Sequence, residues 1–344
     1  MFNRVTFIIA AVSLTLLGAG CAKTYDPAPE QDAAIRFGAG SLLLNDDYAT
    51  KAPLESGTTF GVFAFKQAGT AGAPGTWNSS RTPEFMFNVP VSFDGSTCSY
   101  SPIRFWPDPA SSTVSFWAYS PYDENALLLE SGSTASAYTS SSTGLPDMRY
   151  TSDGHTDFMV SDLVKDQTFA SNSGVVELPF GHALSLVDVS VVKVDPTSKY
   201  TVKLKAVRFD GIYSTAVLRS SGWADWSGAR GNLILYADNP ADNTDDITLT
   251  TSAAPLQTVI PLPQELTNAA ARLHVEFSVS YAGILHERTT AREVLLSKVF
   301  EGVEAHWEKN KHYTLELRVS PDDPIEFTVS WTDWGDVFNY QITS

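Results

Sequence analysis

Cys and His are few in these 344 residues, with 2 and 6, and the many Ser, Asp and Glu fall into no local catalytic signature. Hydrolysis through an activated serine or phosphate handling on a Gly-rich loop would need a local signature. No Gly-x-Ser-x-Gly, Gly-x-x-x-x-Gly-Lys or Cys-x-x-Cys occurs. His286-Glu287 opens like a zinc-protease helix, but the position four beyond His286 is Thr290, so the second imidazole is missing. Asp242, Asp245 and Asp246 make an acidic loop without the Asp-x-Asp-x-Asp-Gly register that wraps Ca²⁺. Six His among many Ser and Asp give chance triads, and His182, at the head of an apolar run, reads as a satisfied structural imidazole. Glu301 and Glu304 read as a solvated face, and Cys98 as a small packed residue with no catalytic partner nearby. No catalytic residue, metal site or cofactor is expected.

Aromatic side chains are the other chemistry available, since pyranose rings stack on exposed Trp and Tyr. Trp223 and Trp226, like Trp331 and Trp334, are spaced i,i+3 and in a strand would point to opposite faces. One of each pair could therefore be exposed; core filling is the competing account.

The elements that must carry these residues are strands. Leu273, Val275, Phe277, Val279 and Tyr281 alternate with Arg272, His274, Glu276, Ser278 and Ser280. Tyr313, Leu315, Leu317 and Val319 repeat the pattern, as do Phe327, Val329 and Trp331. A period of two with one apolar face marks half-buried antiparallel strands. Residues 58–65 and 113–119 are apolar on both sides, as central strands are. The fold class is all-β, read as two antiparallel β-sandwich domains over 35–179 and 180–344.

Charge narrows the partners. Lys plus Arg number 23 against 39 Asp plus Glu, for a net charge of −16. So acidic a chain is a poor match for phosphate backbones, which excludes nucleic acid. At the N-terminus, Arg4 precedes an apolar run over 5–17, which is shorter than the ~20 residues that span a bilayer. The run ends in Leu17-Gly18-Ala19-Gly20-Cys21, which resembles a bacterial lipoprotein lipobox. That resemblance implies a signal peptide over 1–20, lipidation of Cys21, and a lipidated tether over 21–34. Cys98 would then be the one cysteine left, so no intramolecular disulfide could form.

An ordered series of strings runs through the rest of the chain. It includes Ile35-Arg36-Phe37, Lys51-Ala52, Phe60-Gly61-Val62-Phe63-Ala64-Phe65, Arg104-Phe105-Trp106-Pro107 and Phe180-Gly181-His182-Ala183-Leu184-Ser185. Phe327-Thr328-Val329-Ser330-Trp331-Thr332-Asp333-Trp334 closes it. Together with the lipobox, this series resembles the fimbrillin family over about 35–340. The resemblance implies a pilus subunit of two transthyretin-like sandwich domains, exported as a lipoprotein to the outer membrane and cell surface. It implies a trypsin-like processing protease that cuts after a basic residue, matched by Lys51 before Ala52, with Arg36 as second candidate. The cut would release a first strand over 35–40, anchored by Ile35 and Phe37. Strand addition would then fill the vacated groove from another fimbrial subunit, in a homo- or heteropolymer.

The donor candidate is 333–344, where Phe338, Tyr340 and Ile342 share a face; the same stretch could equally be the last strand of its own domain. A tip or anchor subunit, an adhesin for host or bacterial surface ligands, and a glycan-binding outer-membrane lipoprotein remain open alternatives.

Overall fold

The computed structural model describes residues 33–38, 54–125, 144–171, 173–194, 199–228, 230–238, 247–281 and 287–334. The first half contributes β1 (Arg36–Gly38), β2 (Thr59–Ala68), β3 (Met86–Phe93), β4 (Cys98–Ser99) and β5 (Ser112–Ser120). It continues with β6 (Met148–Thr151), β7 (Met159–Ser161), β8 (Val164–Gln167), β9 (Val175–Glu177) and β10 (Phe180–His182). One sheet runs in the order β10-β7-β5-β2-β3-β4, with β8 also paired to β5.

The two runs without alternation, β2 and β5, lie at the centre of this sheet because both of its faces are covered. Phe60, Val62, Ala64, Val114, Phe116 and Ala118 pack into one hydrophobic cluster. Their neighbours Phe63, Phe65, Trp117 and Tyr119 pack into a different one.

The second half supplies β11 (Leu186–Lys193), β12 (Tyr200–Ile212), β13 (Thr215–Arg219), β14 (Gly222–Ser227), β15 (Gly231–Ala237) and β16 (Ala254–Pro255). It ends with β17 (Gln264–Glu265), β18 (Arg272–Tyr281), β19 (Arg288–Leu295), β20 (His306–Trp307), β21 (Lys311–Val319) and β22 (Glu326–Asp333). Two four-stranded sheets, β16-β11-β21-β22 and β15-β12-β18-β19, feed a shared cluster. Val187, Val189, Leu315 and Leu317 enter from the first sheet, and Leu204, Phe209, Val275 and Phe277 from the second. Two sheets packed face to face in this way are the plan of a β-sandwich. Gly211 sits at a register shift of β12 with φ +69°, where a Cβ would collide with the carbonyl oxygen of Ala270.

Three details differ from the alternation read in the sequence. The apolar run headed by His182 is broken at 183–185, so β10 pairs with β7 while β11 pairs with β21. On β18, His274 and Ser278 are buried although they sit on the polar side. The Glu293 carboxylate, from His274's cross-strand partner, lies 3.5 Å from Nδ1, and Glu287 accepts the Ser278 hydroxyl, so long acidic side chains cover both. Finally, β6 joins the three-stranded sheet β14-β13-β6 with strands of the second half. The third cluster spans the halves likewise, with Phe63, Trp117 and Phe158 beside Ala216, Leu262 and Trp334.

Candidate assembly site at the first strand

Residues 33–38 are inserted between two distant segments. On one side Ile35 N–H donates to Arg104 O at 2.8 Å and Trp106 N–H donates to Ala33 O at 2.9 Å, around an antiparallel bridge of Ala34 to Phe105. On the other side β1 runs parallel to β9, with Arg36 opposite Val175 and Phe37 opposite Val176. Arg36 N–H donates there to Gly174 O at 3.1 Å. Among the described residues pairing thus includes Ala33, inside the stretch that the sequence reads as tether.

The side chains follow the strand period. Ile35 and Phe37 point inward, 1% and 6% exposed, while Arg36 is exposed and donates through its guanidinium to Ser173 O at 2.8 Å. The Phe37 ring lies 5.5 Å from Tyr100, 5.8 Å from Phe116 and 6.5 Å from Phe60. Burial of each anchor is worth about 1.5–3 kcal/mol. Tyr100 Oη donates to Ile35 O at 2.9 Å, and burial pushes the pKa of this phenol above its ordinary value against an opposing contribution from Arg104. Cys98 packs beside them, its thiol pushed up to about 11 by burial and by Glu177 and Asp94. At neutral pH it is protonated and inert, as a packed residue should be.

If this strand left, Trp106 N–H would lose its partner, Arg104 O and Gly174 O would lose their backbone donors and keep only longer side-chain bonds from Tyr100 Oη and Trp106 Nε1, and Phe60, Tyr100 and Phe116 would lose the ring between them. The site is therefore a slot that accepts an extended segment with two inward apolar side chains. Tyr100 and Trp106 build its wall, a role that the sequence assigns to neither of them. Nothing in a local pattern reveals which distant residues will flank a strand.

A profile of the fimbrillin-like family matches residues 48–334. The chain belongs to that family. Fimbrium subunit Fim1C of Phocaeicola vulgatus is 29% identical over a 201-residue alignment that covers 54% of this chain and 50% of that protein. The chain therefore spans about half the length of that curated relative. A crystal structure of a fimbrial protein from Bacteroides vulgatus matches with TM-score 0.64 at 20% identity, over 88% of this chain and 99% of that one. A cell-adhesion candidate from Bacteroides uniformis matches with TM-score 0.52 at 13% identity, over 88% and 97%. These two structures share the fold.

In this fimbrillin-like chain the remaining candidates are distributed as follows. Cys21, Lys51, Phe338, Tyr340, Ile342, His286 and the acidic loop at 242–246 lie outside the described residues. The stretch leading to the donor candidate ends in a firm anchor. Trp334 is buried, stacks on the His182 ring at 3.7 Å, and donates its N–H to Asn310 O at 3.0 Å. His182 in turn hydrogen-bonds Asp157 at 2.7 Å, so it is the satisfied imidazole that its place predicts. Glu301 and Glu304 are exposed.

The tryptophan pairs split by face as the spacing requires. Trp334 is buried and Trp331 is 48% exposed; Trp223 packs against the core while Trp226 is 38% exposed. Lys311 Nζ covers the Trp331 ring at 3.9 Å, which leaves Trp226 as the indole to consider for ligand stacking. Among the described residues no group of three or more His, Cys, Asp or Glu could hold a metal ion. No described helix is long and apolar enough to cross a membrane.

Proposed function

We propose that this fimbrillin-like protein is a subunit of a cell-surface fimbria, anchored as a precursor through a lipid on Cys21 and assembled by protease-triggered strand exchange. The reading includes two sandwich domains meeting near residue 180. The observation that carries it is the first strand: a short segment at the start of the described chain, held by two apolar anchors in a slot between 104–106 and 174–178. Such a strand can leave without unravelling the central pair β2 and β5, and the vacated slot offers both backbone partners and apolar pockets to a strand from another copy.

The two processing candidates differ in what they would release. A cut after Lys51 removes Ile35 and Phe37 together. A cut after Arg36 separates them and leaves Phe37 on the retained chain, and Arg36 is itself held within β1. The strand that refills the slot is assigned to the part of 333–344 beyond the Trp334 anchor, with Phe338, Tyr340 and Ile342 as inward residues, since Asp333 pairs within β22 and Trp334 is buried. Other fimbrial subunits, a trypsin-like protease and the outer membrane are its partners, and adhesion is its cellular role.

The test is limited trypsin digestion of the full chain, followed by size exclusion and mass spectrometry. The expected result is cleavage after Lys51, loss of the fragment that carries β1, and a ladder of oligomers. Deleting 335–344 should abolish the ladder while leaving the cut intact. A cleaved protein that has lost β1 and stays monomeric would overturn the strand-exchange reading.

A further inference from the structure

Strand β14 and the turn before β18 enclose a trough that the assembly reading does not use. Its centre is Trp226. The indole Nε1–H donates to Pro263 O at 2.9 Å, which fixes the orientation of a ring that is otherwise open to solvent. Two clefts adjoin along this ring, one of about 500 Å³ and one of about 290 Å³, and both are lined by Trp226, Gln264 and Glu265. The larger falls within the ~300–1,000 Å³ typical of small-ligand sites and the smaller at its lower edge.

The floor is rigid. Gln264 is buried and spans the backbone of Tyr213, accepting from its N–H at 2.8 Å and donating to its carbonyl at 2.9 Å. Arg230 is fixed as well. Its guanidinium lies 4.5 Å over the Tyr213 ring and donates to the Tyr213 hydroxyl at 3.0 Å. The rim beyond the first cleft is polar and exposed, formed by Glu265, Thr267 and Asn268. Glu308 and Lys309 close the second cleft.

A pre-oriented aromatic face ringed by carboxylate, hydroxyl and amide groups matches one ligand chemistry well. A pyranose has an apolar C–H face that lies on an aromatic ring, and hydroxyls at its edge that pair with such a rim. Phosphate-bearing ligands are disfavoured by the strongly negative chain, which carries −16. Because the two clefts share this indole, the trough has room for more than one linked ring. We propose that the trough around Trp226 binds a neutral oligosaccharide, with one pyranose stacked on the indole and neighbouring units in the clefts on either side. The site uses residues remote from the first-strand slot, so it stands whether or not the protein assembles by strand exchange.

The experiment is saturation-transfer NMR and titration calorimetry on the full chain with maltotriose, cellotriose and chitotriose at millimolar concentration. At least one trisaccharide should show transfer to its ring protons. Trp226→Ala should weaken its affinity at least tenfold, which is ~1.4 kcal/mol. Asn268→Trp, on the exposed rim, fills the trough without touching the core and should cost as much; it serves if the first variant melts early. Absence of transfer for all three trisaccharides, or unchanged affinity in a folded variant, would overturn the proposal.

Discussion

Asp153 accepts three hydrogen bonds inside its own turn: from the N–H of His155 at 2.8 Å, and from the N–H and hydroxyl of Thr156 at 2.7 Å each. They hold its carboxyl at about 2 against an ordinary 3.8, with the Thr156 hydroxyl as the largest cause. The same sequence, Asp-Gly-x-Thr, recurs at Asp94-Gly95-Ser96-Thr97, where the same bonds lower Asp94 still further. The intervening Gly95 and Gly154 take φ of +99° and +83°, a left-handed step that glycine makes without strain. A carboxyl whose folded value is depressed stabilises the fold above its unfolded value, and that contribution fades as pH falls through the folded value. Asp153 is largely solvated, so its contribution at pH 7 is about 0.5–1 kcal/mol after screening. Asp153→Ala should therefore lower Tm at pH 7 and converge on the parent as pH falls from about 4 toward 2. Thermal melts of both proteins across that range check this, and a gap that stays constant to pH 2 would refute it.

At the scale of elements, β1 is the segment whose attachment rests on two side chains. Phe37→Ala removes a ring that contacts Phe60, Tyr100 and Phe116. The cost should be about 3–5 kcal/mol, and it should fall first on the docking of β1. Native-state hydrogen exchange reads this directly. The amides of Ile35 and Trp106, which pair across the slot, should exchange at least tenfold faster while those of β5 change little. An equal acceleration in β5 would mean that β1 does not open by itself. The inward faces were legible in the sequence: Ile35 and Phe37, the alternation of β18 and β21, and the unbroken apolar runs of β2 and β5 all follow from period and burial. Partners were not legible, because a period of two says which way a side chain points and nothing about which strand lies beside it. Hence the parallel pairing of β1 with β9 and of β11 with β21, and the walls built by Tyr100 and Trp106, emerge only from the fold. The Trp226 trough was half legible. The i,i+3 spacing exposed one indole of each pair, but Gln264 and Arg230 reach it from other elements.

At the scale of the molecule, the full sequence carries −16, and on the proposed strand-exchange reading strongly negative copies must approach one another. The Debye length shrinks from about 30 Å at 0.01 M salt to about 8 Å at 0.15 M. Like-charged subunits should therefore assemble several-fold faster at the higher ionic strength, as measured by light scattering after the protease step. A rate that falls with salt would point instead to an attractive charge pattern at the joint. A final consequence follows from the way β6 completes a sheet with β13, which lies more than sixty residues later in the chain. A polypeptide that appears from its N-terminal end, during synthesis or threading through a pore, exposes Met148–Thr151 well before Thr215–Arg219 is there to meet it. The early half thus waits with an open seam, during which wrong pairings compete with the right one. Whatever delays its collapse until the later half arrives, whether speed of emergence or a companion that holds the seam, governs the yield of correctly closed molecules.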